Sequence, residues 1–288
     1  MMYKIQMCAT TREIIEKCVI FAWIRQINRD FSERIMTICY FSATGNSLYV
    51  ARRIGGKLLS IPQLMRQDEI CITDDAIGVV CPCYNVEMPM MVRDFMRKAH
   101  LKTGYFFFVY TFGEGIAESF AHAKQAAEEA GLRLAYVNAI QMVDNFIPYF
   151  DMQQQIDSLK RKNVEGQIER LLADITSRKT VEVEITEKTE VNMAMYHKKL
   201  AEQFLRKDTS LSYTVNGDCI RCGICVKVCP ANNITITEAE VQFSDHCEVC
   251  YACLHNCPKT AIHMPVEAGT LRFRNEHVTV SDIMRSNE

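Results

Sequence analysis

Eight of the chain's fourteen cysteines fall into two blocks of identical spacing. Cys219, Cys222, Cys225 and Cys229 precede Pro230, and Cys247, Cys250, Cys253 and Cys257 precede Pro258. Every member has its counterpart at one constant offset (247 − 219 equals 258 − 230), as does Ile234 in Ile262, so a small unit is duplicated. Three thiols in Cys-x-x-Cys steps can wrap one corner of a cubane. The fourth, held off by a short helical turn and a proline, reaches the neighbouring cluster. The expected ligation therefore crosses. Cys219, Cys222, Cys225 and Cys257 hold one [4Fe–4S] cluster, and Cys247, Cys250, Cys253 and Cys229 the other. Gly223 suits the tight turn around the inorganic core.

Structural zinc asks for two Cys-x-x-Cys pairs far apart that close one tetrahedron, which is not this figure. Disulfides ask for an oxidising compartment, and nothing here marks a secretory segment. His246 and His255 lie beside the blocks, but both sets of four are complete without them, so they read as neighbours of ligands. The six other cysteines (Cys8, Cys18, Cys39, Cys71, Cys81, Cys83) are scattered, as in a reducing cytoplasm.

These loops need a scaffold, and 288 residues allow two domains. At 48% hydrophobic and 24% charged, the composition is that of a globular protein, and a net charge of −2 offers no footprint for nucleic acid. No run is long and apolar enough for a membrane span. Residues 1–35 read as an appended extension, with Thr11 to Ile27 as an amphipathic helix. From Met36 the chain alternates between strand and helix in the manner of a parallel α/β domain. Strands are expected over Ile35–Phe41, Ala76–Cys81, Tyr105–Phe112 and Leu132–Met142, with a weak one near Glu69–Thr73. Helices are expected after Ser47 (with Leu48, Ala51, Gly55 and Leu58 on one stripe), after Pro89, and from Gly115 to Ala130. Residues 151–178 and 191–207 read as polar helices flanking Val181–Ile185. The tail beyond Pro265 shows no pattern.

The loop after the first strand, Ser42-Ala-Thr-Gly-Asn-Ser47, is rich in hydroxyls and opens a helix. Such a loop can surround a phosphate with N–H and O–H donors. Taken alone it is equally a helix cap and tight turn. Two further strand ends arrive at the same sheet edge, each with an aromatic: Tyr84-Asn85, and Thr111 to Gly115 with Phe112. A planar isoalloxazine ring wants such surfaces on its faces. Cys81 and Cys83, at a strand end, read as an inert pair.

Phe41-Ser-Ala-Thr-Gly-Asn-Ser47 resembles the flavodoxin phosphate-binding signature, and the cysteine blocks are similar to those of bacterial two-[4Fe–4S] ferredoxins. Their order resembles that of the flavodoxin–ferredoxin fusion proteins of anaerobic bacteria, from about Met36 to Met264. The resemblance implies a flavodoxin-like five-stranded parallel sheet with helices on both faces (residues 36–185) and a helical connector (186–212). A small α+β two-[4Fe–4S] domain (213–264) and a tail (265–288) would follow. It implies FMN, its phosphate held by Ser42, Thr44, Gly45, Asn46 and Ser47, its ring by Tyr84, Asn85, Thr111, Phe112, Gly113 and Gly115. Ser47 stands where the signature usually has Thr, and Cys81 and Cys83 where such fusions carry apolar residues. The expected function is cytoplasmic low-potential electron transfer between the two [4Fe–4S] clusters and FMN, with redox partner proteins as donor and acceptor. Two alternatives stand beside it: a reductase of a small substrate bound over the flavin, and a metal-binding scaffold with a degenerate flavin site.

Overall fold

A computed structural model describes residues 36–203 and 206–288. The extension and its expected helix lie outside them. The first domain is built on a five-stranded parallel sheet of β1 (Met36–Tyr40), β2 (Lys57–Ser60), β4 (Ala76–Pro82), β6 (Tyr105–Phe112) and β7 (Leu134–Gln141) in the order β2-β1-β4-β6-β7. Counting only the strands of this sheet, the order is 2-1-3-4-5, the flavodoxin-like arrangement. β4 and β6 are central and buried almost throughout, which accounts for their unbroken apolar runs. Phe106, Phe107, Phe108 and Tyr110 of β6 are at most 1% exposed, and full burial of each is worth about 2 kcal/mol.

Helix α1 (Asn46–Ile54) packs on β1 and β4 and against α6 (Val164–Thr176). On the sheet's other face α2 (Ile61–Leu64), α3 (Met90–Lys98) and α4 (Ser119–Glu129) pack in succession. α1 stops at Gly55, whose φ of 85° a helix cannot continue, so Leu58 leaves the expected helical stripe for edge strand β2. The weak strand near Glu69–Thr73 exists as β3 (Cys71–Thr73), but it pairs with β5 (His100–Lys102) in a ribbon of its own. The expected helix over 151–178 is two helices, α5 (Met152–Lys162) and α6, broken at Asn163 with φ 45°. α7 (Glu187–Gln203) leads to the second domain.

That domain contains two short antiparallel pairs. β8 (Thr214–Val215) pairs with β11 (Ile262–His263), and β9 (Ile234–Ile236) with β10 (Val241–Phe243). Ile234 faces Phe243 and Ile262 faces Val215, so the duplicated units exchange partners in the pairing. α8 (Ile224–Lys227) and α9 (Ala252–His255) each follow a cysteine loop.

The tail is ordered by long-range contacts rather than by its own periodicity. Helix α10 (Val280–Asn287) starts with a capping box in which Thr279 and Asp282 bond reciprocally. Asp282 also accepts from Arg52 of α1 at 2.7 Å, Ser286 meets the Tyr40 hydroxyl at 2.9 Å, and Asn287 donates to Val228 C=O at 2.9 Å. One short helix thus holds both domains. No helix among the described residues is long and apolar enough to cross a membrane.

Candidate functional site

The duplication extends to the backbone. Arg221 and Val249 take φ 52°, Gly223 and Tyr251 take 77° and 58°, and Asn232 and Thr260 take 52° and 49°, each pair separated by the offset of the cysteine blocks. These left-handed residues coil each cysteine loop inward. For β-branched Val249 and bulky Tyr251 such a conformation costs about 1–3 kcal/mol and persists only where the surroundings impose it.

The thiols ring two small spaces of about 20 Å³ each. Cys219, Cys222, Cys225 and Cys257 line one, with Gly223, Pro258 and Ile262. Cys229, Cys247, Cys250 and Cys253 line the other, with Tyr213 and Tyr251. Each grouping takes three thiols from one block and the fourth from its duplicate. Among the described residues no three His, Cys, Asp or Glu side chains could hold a single metal ion. Backbone N–H groups of Asn233, Val249 and Ala261 donate to the sulfurs of Cys229, Cys247 and Cys257 at 3.3 Å. Burial pushes the Cys225 thiol up to about 11 and those of Cys250 and Cys253 well above the ordinary value. Ligation by such thiols releases their protons. The first loop faces solvent, with Ile220 59% exposed, whereas the second is buried against the α/β domain.

His246 is exposed, its ring beside Asp245. His255 is 4% exposed and fully engaged: Nε2–H donates to Asn145 C=O at 2.9 Å, and Nδ1 accepts from the Phe273 N–H at 3.1 Å. Burial lowers its pKa to about 4, which keeps it neutral.

The hydroxyl loop between β1 and α1 is buried and gripped from three sides. Ser47 Oγ and Thr111 Oγ1 lie 2.8 Å apart, and Asn145 Nδ2 donates to Thr44 Oγ1 at 3.2 Å. Asn256, beside Cys257, donates to Ala43 C=O at 3.2 Å. From the tail, the Asn275 N–H donates to Thr44 C=O at 2.8 Å and its side-chain amide to Asn46 Oδ1 at 3.1 Å. Gly45 has φ 98°, and a Cβ there would lie 2.8 Å from Val278 Cβ, so both the turn and the tail's approach require glycine.

Ser42, Thr44, Asn46 and Ser47 line a recess of about 30 Å³ with Tyr84, Thr111, Phe112, Gly113 and Asn145. It adjoins a cavity of about 240 Å³ lined by Cys83, Tyr84, Asn85, Gly113, Gly115 and Tyr251, among others. Tyr84, Cys83, Gly113, Asp144 and Asn145 border both spaces. Phe112 stands at the recess and not at the larger cavity. Further apolar walls of that cavity include Phe146, Phe150, Val249 and Tyr251. Sequence reasoning missed these four. Gly223 stands where its repeat has Tyr251, and this contrast was the one available signal.

The arrangement fits a flavin mononucleotide. The recess offers neutral donors at the N-terminus of α1, and the Tyr84 hydroxyl is buried in the protein without a hydrogen-bond partner. Asn85 and Val86, at φ 50° and 66°, hold a left-handed corner at the cavity's edge. Burial raises the Asp144 pKa, an effect that Lys162 and the Phe146 N–H oppose. Burial also raises that of Tyr84, with Cys250 and Glu248 adding to it.

Residues 213–274 match the family model of the 4Fe–4S dicluster domain. No curated protein matches the chain. Among solved structures, the two-electron-reduced Megasphaera elsdenii flavodoxin is 17% identical, over 47% of this chain and 99% of that one, with a TM-score of 0.29. A Lactobacillus acidophilus flavoprotein in complex with FMN is 13% identical (44% and 99% covered, TM-score 0.28). A Methanothermobacter marburgensis NAD(P)H:quinone oxidoreductase is 11% identical (47% and 98% covered, TM-score 0.31). At these TM-scores the likenesses add nothing to the strand order. The strand order is that of a flavodoxin-like α/β domain, and the segment after it matches the 4Fe–4S dicluster model.

Proposed function

We propose that the chain is an electron-transfer iron–sulfur flavoprotein with two [4Fe–4S] clusters and one FMN. Cys219, Cys222, Cys225 and Cys257 hold the first cluster, and Cys229, Cys247, Cys250 and Cys253 the second. Ser42, Thr44, Gly45, Asn46 and Ser47 hold the FMN phosphate; Tyr84, Asn85, Thr111, Phe112, Gly113 and Gly115 hold the rest of the flavin. The observation that carries this reading is a shared wall. Val249 and Tyr251, on either side of Cys250, line the cavity that Tyr84, Asn85 and Gly113 line from the α/β domain.

When bound, the clusters exchange single electrons and the flavin one or two. The chain's own residues fix the path between them. Tyr84 and Tyr251 wall the cavity from the two domains, and backbone N–H groups aimed at Cys229, Cys247 and Cys257 stabilise charge on sulfur. Asn256 and His255 clamp the cluster loops to Ala43 and Asn145, which fixes the spacing of the two domains.

Anaerobic purification followed by metal, sulfide and flavin analysis tests the proposal, with about eight irons and one FMN expected per chain. Zinc in place of iron would overturn the cluster assignment, and FAD or no flavin the FMN assignment. Rapid mixing with a reductant at several protein concentrations tests the relay. Flavin reduction following cluster reduction at a concentration-independent rate is expected. A rate proportional to concentration would mean that the cofactors of one chain do not reach each other.

A further inference from the structure

The two copies of the cysteine loop have diverged where they face different surroundings. Ile220, Arg221 and Gly223 of the first copy correspond, at the offset of the duplication, to Glu248, Val249 and Tyr251 of the second. The first group meets solvent or lies near it. The second meets the α/β domain: Glu248 accepts from the Met91 N–H at 2.9 Å, and Val249 and Tyr251 line the large cavity. Tyr251 is 7% exposed, and its ring lies 5.9 Å from that of Phe146, which lines the same cavity.

Tyr251 occupies this place at a cost. Its φ of 58° suits the glycine that the first copy carries, and a bulky aromatic is an outlier there. Outliers of this kind gather where function requires them. The cavity's exposed rim comes from Glu114 and Gly115 of the α/β domain, so the second domain closes a wall and leaves solvent at an edge.

We propose that Tyr251 is a specificity-determining residue that denies a hydride donor the flavin face and confines electron exchange to the cluster loop around Cys250. The inference rests on the FMN reading. With FMN bound, hydride transfer from a dihydronicotinamide would break its C4–H bond and form N5–H on the flavin. Two electrons would move with that hydrogen and leave a pyridinium, so the donor would need access to a flavin face. Val249 and Tyr251 form the wall of the cavity on the side of the second domain. A small-substrate reductase needs this face open, so the wall separates the electron carrier from the reductase alternative.

The test uses the full chain, purified anaerobically, with its flavin and iron quantified first. N-benzyl-1,4-dihydronicotinamide serves as a hydride donor that needs no binding site, and iodide as a collisional quencher of flavin emission. Wild-type flavin is expected to react at least about 100-fold more slowly than free FMN, and Tyr251→Gly at least about tenfold faster than wild type, a barrier change of about 1.4 kcal/mol. Iodide quenching should increase in Tyr251→Gly, whereas Tyr251→Phe should match wild type in both readouts. Tyr251→Gly relieves the backbone, and Tyr251→Asn, also tolerant of this conformation, is the second variant if iron content falls. A wild-type rate near that of free FMN overturns the inference while leaving FMN binding intact. So do variants that retain iron and flavin but gain neither hydride nor iodide access. Absence of flavin overturns the underlying reading itself.

Discussion

His255→Ala is expected to loosen the joint between the two domains, because this one side chain ties three segments together. Its Nε2–H serves Asn145 C=O, its Nδ1 serves the Phe273 N–H, and the ring is buried between them. Alanine leaves a buried acceptor and a buried donor unmet, at about 1–3 kcal/mol each. The vacated volume adds about 1 kcal/mol more, for a total of about 3–7 kcal/mol. At about 2–4 °C per kcal/mol, the apparent Tm should fall by about 6 °C or more. Asn145 also donates to Thr44 Oγ1, so the damage should reach the hydroxyl loop and weaken FMN retention. Cofactor-loaded proteins of this size tend to unfold irreversibly, so the assay is circular dichroism at one fixed scan rate, with FMN release followed by fluorescence. His255→Gln, which can donate to the Asn145 carbonyl, should recover part of the loss. A His255→Ala protein within about 1 °C of wild type and holding FMN as well would refute the reasoning, since two orphaned buried groups carry a cost.

Cys229→Ala should impair the cluster grouped with Cys247, Cys250 and Cys253 and spare its sequence neighbours Cys219, Cys222 and Cys225; separate electron paramagnetic resonance signals report which cluster is lost. Burial pushes the Cys83 thiol up to about 11, so mapping of iodoacetamide adducts should find it unmodified at pH 8 and increasingly modified above pH 10. The Arg52 guanidinium beside Asp282 holds its carboxyl well below the usual range, so the ionised form stabilises the docked tail. That contribution is fully present above the unfolded pKa of about 3.9 and declines as pH falls below it. Asp282→Asn should therefore cost about 1 kcal/mol at pH 7, modest because Arg52 is part-exposed, with the gap to wild type closing only below pH 4 in denaturation curves. Gly45→Ala should weaken FMN retention in equilibrium dialysis, because the new methyl meets Val278 and the turn needs positive φ.

The central strands were legible because β4 and β6 are buried on both faces and read as apolar runs without polar interruption. Edge strand β2 was not: its four residues run from exposed Lys57 through half-buried Leu58 and Leu59 to buried Ser60, too short for alternation to register. The helix read from Gly115 begins at Ser119, since Gly113 to Gly115 form the cavity rim before it. The 4Fe–4S dicluster domain was readable from the spacing of the two cysteine blocks, because the duplication is written in their offset. The tail was opaque because α10 is eight residues long and its partners, Tyr40, Arg52 and Val228, lie far away in sequence. Tyr251 escaped notice because its place depends on how the domains meet, a relation that no local pattern encodes.

The tail's grip on the hydroxyl loop has a consequence for synthesis. Most of the chain separates Thr44 from Asn275, so the loop emerges from the ribosome long before its clasp exists. At about 5–20 residues per second the interval is roughly 10–50 s. During it the α/β domain can fold with the phosphate recess uncovered on the side that Asn275 and Val278 later occupy. The proposed FMN can load in this window, before the cysteine loops have been made. The clasp of Asn275 and Val278 forms only after the segment beyond the cysteine loops has been made.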